Sequence, residues 1–121
     1  MRPPSITIYG IKNCDTMKKA RAFLDERGIA YRFHDYKAVG IDEARLERWA
    51  GKVGWERLLN RAGTTFRKLP EADQEGIDRA KAIALMLANP SMIKRPVVET
   101  GEEVMVGFSP DAYAAAFAGR R

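Results

Sequence analysis

Two runs of alternating β-branched and aromatic residues flank a single amphipathic helical stretch, and this arrangement restricts the fold more than any other feature of the chain. Ser5-Ile6-Thr7-Ile8-Tyr9 reads as one strand and Ile29 to Tyr36 as a second. Between them, Met17, Ala20, Phe23 and Leu24 fall on one face of a helix expected over 15–27. Gly28 stands where a left-handed cap belongs. Strand, helix and strand in so short a span predict a right-handed parallel crossover.

The middle of the chain changes character. Leu46, Trp49, Ala50 and Val53 form a helical stripe within 42–59, and Gly54 permits a break before Trp55, Leu58 and Leu59. Arg61-Ala62-Gly63-Thr64-Thr65 reads as loop, and Glu71 to Gln74 as one helical turn after Pro70. A helix is expected over 78–89, with Ala80, Ile83, Ala84 and Leu87 in phase, ending at Asn89-Pro90. The last third returns to strands at 96–99 and 103–106, joined by Thr100-Gly101-Glu102 in a hairpin. Ser109-Pro110-Asp111 then starts a helix, with Ser as cap, Pro at the first helical position and Asp against the dipole. Tyr113, Ala116 and Phe117 give that helix an apolar face. The order β-α-β, helical block, β-β-α is the layout of a thioredoxin-like α/β domain carrying a helical insertion. The whole of 1–121 is read as one domain, with its core in 5–40 and 91–118 and the insertion over about 41–90.

Composition excludes several classes. No apolar stretch approaches the length of a membrane span, and the apolar run after Met1 is too short for a signal-peptide core. One unpaired cysteine cannot make an internal disulfide, so a reducing cytoplasm is the expected location. The net charge of +5 raises the question of nucleic acid, but acids are interspersed with bases along most of the chain. Only Arg57, Arg61, Arg67 and Lys68 form a poorly compensated stretch, without zinc-finger spacing or an aromatic platform. A modest basic excess of this kind is read as a solvated surface or a collar around a small anionic ligand, with no direct nucleic-acid or membrane partner expected.

Cys14 lies in Tyr9-Gly10-Ile11-Lys12-Asn13-Cys14-Asp15-Thr16-Met17, where the first strand gives way to the helix. A thiol there meets unsatisfied backbone N–H groups and the positive end of the macrodipole, both of which favour the reactive thiolate. Lys12, Lys18 and Lys19 add positive charge, and the backbone of Asn13, Asp15 and Thr16 flanks the sulfur. The competing reading is a buried inert thiol, since free cysteine often behaves as a small hydrophobe. His34 is the sole histidine and has no companion cluster, so no metal site is expected. Trp49 and Trp55 fit core packing.

Five separated motifs then carry a resemblance. They are Tyr9 to Thr16, Arg32-Phe33-His34-Asp35-Tyr36, Gly63-Thr64-Thr65-Phe66-Arg67-Lys68-Leu69, Ile93-Lys94-Arg95-Pro96-Val97-Val98, and Val106-Gly107-Phe108-Ser109. In this order they resemble the ArsC-related reductase family, and within it the YffB group, over 6–117. The resemblance implies that Cys14 is the nucleophile and that Arg95 stabilises its thiolate or holds an anionic ligand. It also implies that Pro96 is a cis proline beside the active cysteine. Arg61 is a shifted substitute for a second family arginine, because Ala62 occupies the usual slot. A third arginine would fall in Val106-Gly107-Phe108, which has none.

Where thioredoxins carry a second cysteine, this chain has Met17. An internal resolving partner is therefore absent, and turnover needs an external thiol. The expected function is a glutathione-dependent thiol-disulfide reductase with no bound cofactor. Glutathione serves as co-substrate, with an oxidised thiol or disulfide as substrate. Arsenate reduction is the enzymatic alternative, and an Spx-like regulator that binds RNA polymerase is the non-enzymatic one.

Overall fold

The computed structural model describes residues 6–12, 14–101 and 103–118. The described chain divides into two compact units, 1–35 with 95–121, and 36–94.

The first unit is built on a four-stranded sheet. Strand β1 (Ile6–Gly10) pairs in parallel with β2 (Arg32–Asp35) and antiparallel with β3 (Val97–Thr100). Strand β3 in turn forms an antiparallel hairpin with β4 (Glu103–Val106), giving the order β2-β1-β3-β4. Helix α1 (Asp15–Glu26) is the crossover from β1 to β2. The mixed sheet, with its parallel pair followed by a returning hairpin, is thioredoxin-like, as its sequence order predicts. Period-two alternation sends Ile6 and Ile8 of β1 and Val98 of β3 to one face. There they pack with Met17, Ala20, Phe23 and Leu24 of α1 and with Tyr113 and Phe117 near the C-terminus. The opposite face carries polar chemistry: the Tyr9 hydroxyl donates to Glu99 Oε1 at 2.8 Å, and its ring lies 4.9 Å from that of His34. His34 thus takes part in ring packing on the sheet. Among the described residues, no group of three or more His, Cys, Asp or Glu could hold a metal ion. No helix among them is long and apolar enough to cross a membrane.

The second strand is shorter than the expected 29–36. Gly28 adopts φ 65°, and the Ile29 N–H turns back to the Leu24 carbonyl at 3.0 Å, closing α1 in a left-handed C-terminal motif. Ile29 is therefore tied to the helix end, and its side chain enters the core. At the other end, Tyr36 leaves the ladder and begins a short helix.

The second unit is all helical apart from one isolated bridge. It comprises α2 (Tyr36–Val39), α3 (Glu43–Val53), α4 (Trp55–Leu58), α5 (Thr64–Arg67), α6 (Glu71–Gln74) and α7 (Arg79–Ala88), followed by a 3-10 turn (Pro90–Met92). Asp42 and Asp78 cap α3 and α7, accepting from the N–H groups of Arg45 and Lys81. Gly54, at φ 89°, separates α3 from α4 as its sequence position suggests. Trp49 and Tyr36 are fully buried in this unit, and the Tyr36 hydroxyl donates to the Ile93 carbonyl at 3.1 Å. That burial accounts for the early end of β2.

Two readings of this region are corrected. The end of the stretch expected as loop, Thr64-Thr65, begins α5, because Phe66 is buried and draws Thr64–Arg67 into a turn of helix. In α7 the buried residues are Ala82, Ile83 and Met86, whereas Ala80 and Ala84 are exposed. The helix is apolar nearly all round, so periodicity does not select a face and the bulk of Met86 does.

Helix α8 (Pro110–Ala116) begins as its sequence predicts, with the Ser109 hydroxyl accepting from the Ala112 N–H at 3.3 Å. Its face is narrower than expected: Tyr113 and Phe117 are buried, while Ala116 is exposed. Substituting Ser109→Ala should lower stability by about 1 kcal/mol through loss of the cap. Urea unfolding would register this as a lower midpoint at unchanged slope.

Candidate active site

The site forms where β1 ends. Sheet register brings its parts together: Tyr9 of β1 lies opposite Val97 of β3. One step further along each strand are Gly10 and Pro96, so Arg95 arrives beside the turn that leads into α1. The Arg95–Pro96 peptide is cis, and the buried Pro96 offers its carbonyl to the Gly107 N–H at 2.8 Å. Pro96 therefore has the geometry implied by the family resemblance.

Cys14 is the N-cap residue of α1. Its backbone is extended (φ −93°, ψ 134°), and its carbonyl accepts the first helical hydrogen bond, from the Lys18 N–H at 2.9 Å. The thiol is half-buried. Burial alone would raise its pKa, since desolvation disfavours the charged form. Three donors oppose this. The backbone N–H groups of Met17 and Thr16 face the sulfur and favour its charged form, as do the donor and the positive charge of the Arg95 guanidinium. The net result is a thiol below its ordinary value. The Cys14 side chain makes no full cap hydrogen bond, and the first-turn amides of Thr16 and Met17 act on its sulfur as the positive end of the helix. The arrangement suits a nucleophilic thiolate that gains and loses a covalent sulfur partner.

Of the residues singled out from sequence, the structure brings Cys14, Thr16 and Arg95 into direct interaction. Lys12 and Asp15 are exposed on the same turn, and Asp15 supplies the acidic residue of the first turn rather than the cap. Asn13 lies outside the described residues. Arg61 belongs to the helical unit, is exposed, and holds its guanidinium 5.6 Å from the Trp55 ring centre. Sequence reasoning gave no role to Gly10, yet a Cβ there would collide with the Met17 side chain. The available signal was a glycine at the end of a strand, where close approach of another group is common.

Known proteins share this framework. The structure of a YffB protein is 66% identical and superposes with a TM-score of 0.91, covering 93% of this chain and 99% of that one. An arsenate reductase (ArsC) related protein from Brucella melitensis is 58% identical with a TM-score of 0.77, each chain covered to 98%. The global transcriptional regulator Spx of Listeria innocua is 25% identical over 108 residues, 88% of this chain and 82% of the regulator. The ArsC family model matches residues 9–116, which take in the Cys14 turn, the Arg95–Pro96 step and the hairpin. With that match spanning nearly all of both units, the chain belongs to the ArsC family.

Proposed function

We propose that this protein is a monothiol reductase of disulfides and glutathionylated thiols, completing its cycle with glutathione in the cytoplasm. The observation that carries the reading is the set of three donors converging on the Cys14 sulfur, in a chain whose only cysteine this is. Family membership supports reductase chemistry of this general kind.

In the first step the Cys14 thiolate attacks one sulfur of the substrate disulfide. A new S–S bond forms to Cys14 as the substrate bond breaks, and the departing thiolate takes a proton from water. Arg95 and the two amides release their hold on negative charge at this stage and are free to pair with the anionic groups of a bound thiol. In the second step a glutathione thiolate attacks the Cys14-bound disulfide, oxidising glutathione to a disulfide and regenerating the Cys14 thiolate. Met17 in the position of a second cysteine supports the external route. Arsenate reduction has weaker support, because an oxyanion needs several fixed donors and Val106-Gly107-Phe108 supplies no arginine.

The test is intact-mass measurement after incubation with oxidised glutathione across a pH series. One adduct on Cys14 should form faster than on a free cysteine at neutral pH. No acceleration over free cysteine sinks the proposal. Arg95→Ala should slow adduct formation by about tenfold near neutral pH through loss of a charged hydrogen bond. The sign follows from the lowered thiol pKa: without Arg95 it rises, so less thiolate is present at neutral pH. Above both values the two proteins converge.

The Spx relative, a global transcriptional regulator, favours one second reading, a regulator; for this chain that reading takes the form of RNA polymerase binding without redox control. Cys14 and Met17 cannot form the disulfide of a two-cysteine switch. Retention of polymerase subunits by this protein, with no disulfide turnover, would favour that reading over the enzyme.

A further inference from the structure

The first turn of α1 has an anchoring problem. The Cys14 sulfur faces the first-turn amides without making a full cap hydrogen bond, and helix ends fray unless something holds them. Of the turn that follows, Asp15 and Lys18 are exposed and Thr16 is half-buried, leaving Met17 as the buried side chain, at 2% exposure. Its thioether lies against the backbone of Gly10, where β1 ends. A Cβ at Gly10 would fall on the Met17 Sδ and lie 2.5 Å from Cε and 3.1 Å from Cγ. The absence of a side chain at position 10 thus creates the seat that Met17 fills. Sheet and helix meet here directly, and the same residue presents its backbone N–H to the Cys14 sulfur.

We propose that Met17 is a positioning residue, whose thioether, seated on Gly10, fixes the first turn of α1 so that the Thr16 and Met17 N–H groups stay aimed at Cys14. The inference rests on the reading of Cys14 as the reactive thiol and deepens it. Hydrogen bonds weaken steeply with misalignment, so a turn that rocks on its strand would lose much of this stabilisation. An unbranched thioether suits the role, because it adapts to a flat backbone surface that a branched side chain would not fill. Met17 is therefore more than a missing cysteine.

The experiment measures alkylation of Cys14 by iodoacetamide against pH, with circular dichroism reporting the fold. Alkylation needs no glutathione, so failure of the glutathione reaction and failure of this inference are read separately. Met17→Ala should move the reactivity midpoint to higher pH and lower the rate below that midpoint by about fivefold, the net worth of one hydrogen bond. Met17→Leu, which conserves volume, should stay within about twofold of the parent. Gly10→Ala, which evicts the thioether, should shift the profile in the same direction as Met17→Ala. Leu24→Ala is the control for general loosening, since Leu24 is fully buried in the same helix away from its first turn. A folded Met17→Ala protein with the parental profile overturns the inference. So does a Leu24→Ala protein whose profile shifts as far. Should Met17→Ala lose its fold, Met17→Val carries the same expectation and the same refutation.

Discussion

Cys14→Ser is expected to abolish the glutathione adduct and to reduce disulfide turnover by about a thousandfold or more, the usual scale for removing a nucleophile. The substitution is nearly isosteric and leaves the Thr16 and Met17 amides and Arg95 in place. What it removes is the acidity of the sulfur: a serine hydroxyl remains protonated under the same three donors. Because Cys14 is half-buried at a helix cap, stability should change by no more than about 1 kcal/mol. The measurements are intact mass after exposure to oxidised glutathione, a disulfide-reduction assay, and thermal unfolding. With no other cysteine in the chain, any adduct seen on the parent maps to this one position. Turnover that persists in Cys14→Ser would remove the thiol from the mechanism.

Met17→Cys is expected to change the chemical outcome rather than its rate. The Lys18 N–H bonds the Cys14 carbonyl at 2.9 Å, so residues 14 and 17 sit one closed turn apart. Positions so related fall within the roughly 4.4–6.8 Å Cα separation that a disulfide tolerates. The Cys14 thiolate should still attack oxidised glutathione and release one glutathione thiolate, but the new thiol would then displace the bound glutathione and leave an internal disulfide. Intact mass would show loss of the adduct, and thiol titration would show both cysteines consumed. Accumulation of the same stable adduct as on the parent would mean that position 17 cannot reach the sulfur. That result would overturn the assignment of Met17 to the place of a resolving cysteine. Loss of the thioether from its seat on Gly10 should also raise the reactivity midpoint of Cys14, in line with Met17→Ala.

Local signals in this chain were easy to read where one physical requirement dominated. Ser109-Pro110-Asp111 starts a helix because the cap, the fixed proline φ and the dipole agree. Gly54 and Gly28 break their helices because left-handed backbone is cheap only for glycine. Signals failed where two requirements competed. In 29–36 the alternation is real, yet Ile29 is claimed by the helix end and Tyr36 by the core of the helical unit. In α7, alanines on every side left the buried face to be chosen by Ile83 and Met86. Gly63-Thr64-Thr65 has the composition of a loop, but Phe66 behind it needs burial and pulls the segment into helix.

The candidate site divides along the same line. From sequence alone came the order of strands and helices, the place of Cys14 at the strand-to-helix turn, and the lack of a second thiol. These depend on hydrogen bonds and side-chain periodicity within a few residues, which the chain carries in its local pattern. Only the tertiary structure could decide which groups face the sulfur. Arg95 reaches Cys14 because β3 pairs antiparallel with β1 in one register, and a shift by one residue would carry it to the other face. Met17 meets Gly10 because α1 packs over the end of its own preceding strand, a fit settled by shape and not by residue spacing. Long-range pairing and close packing are properties of the assembled core, and they lower the pKa of the thiol at this helix start.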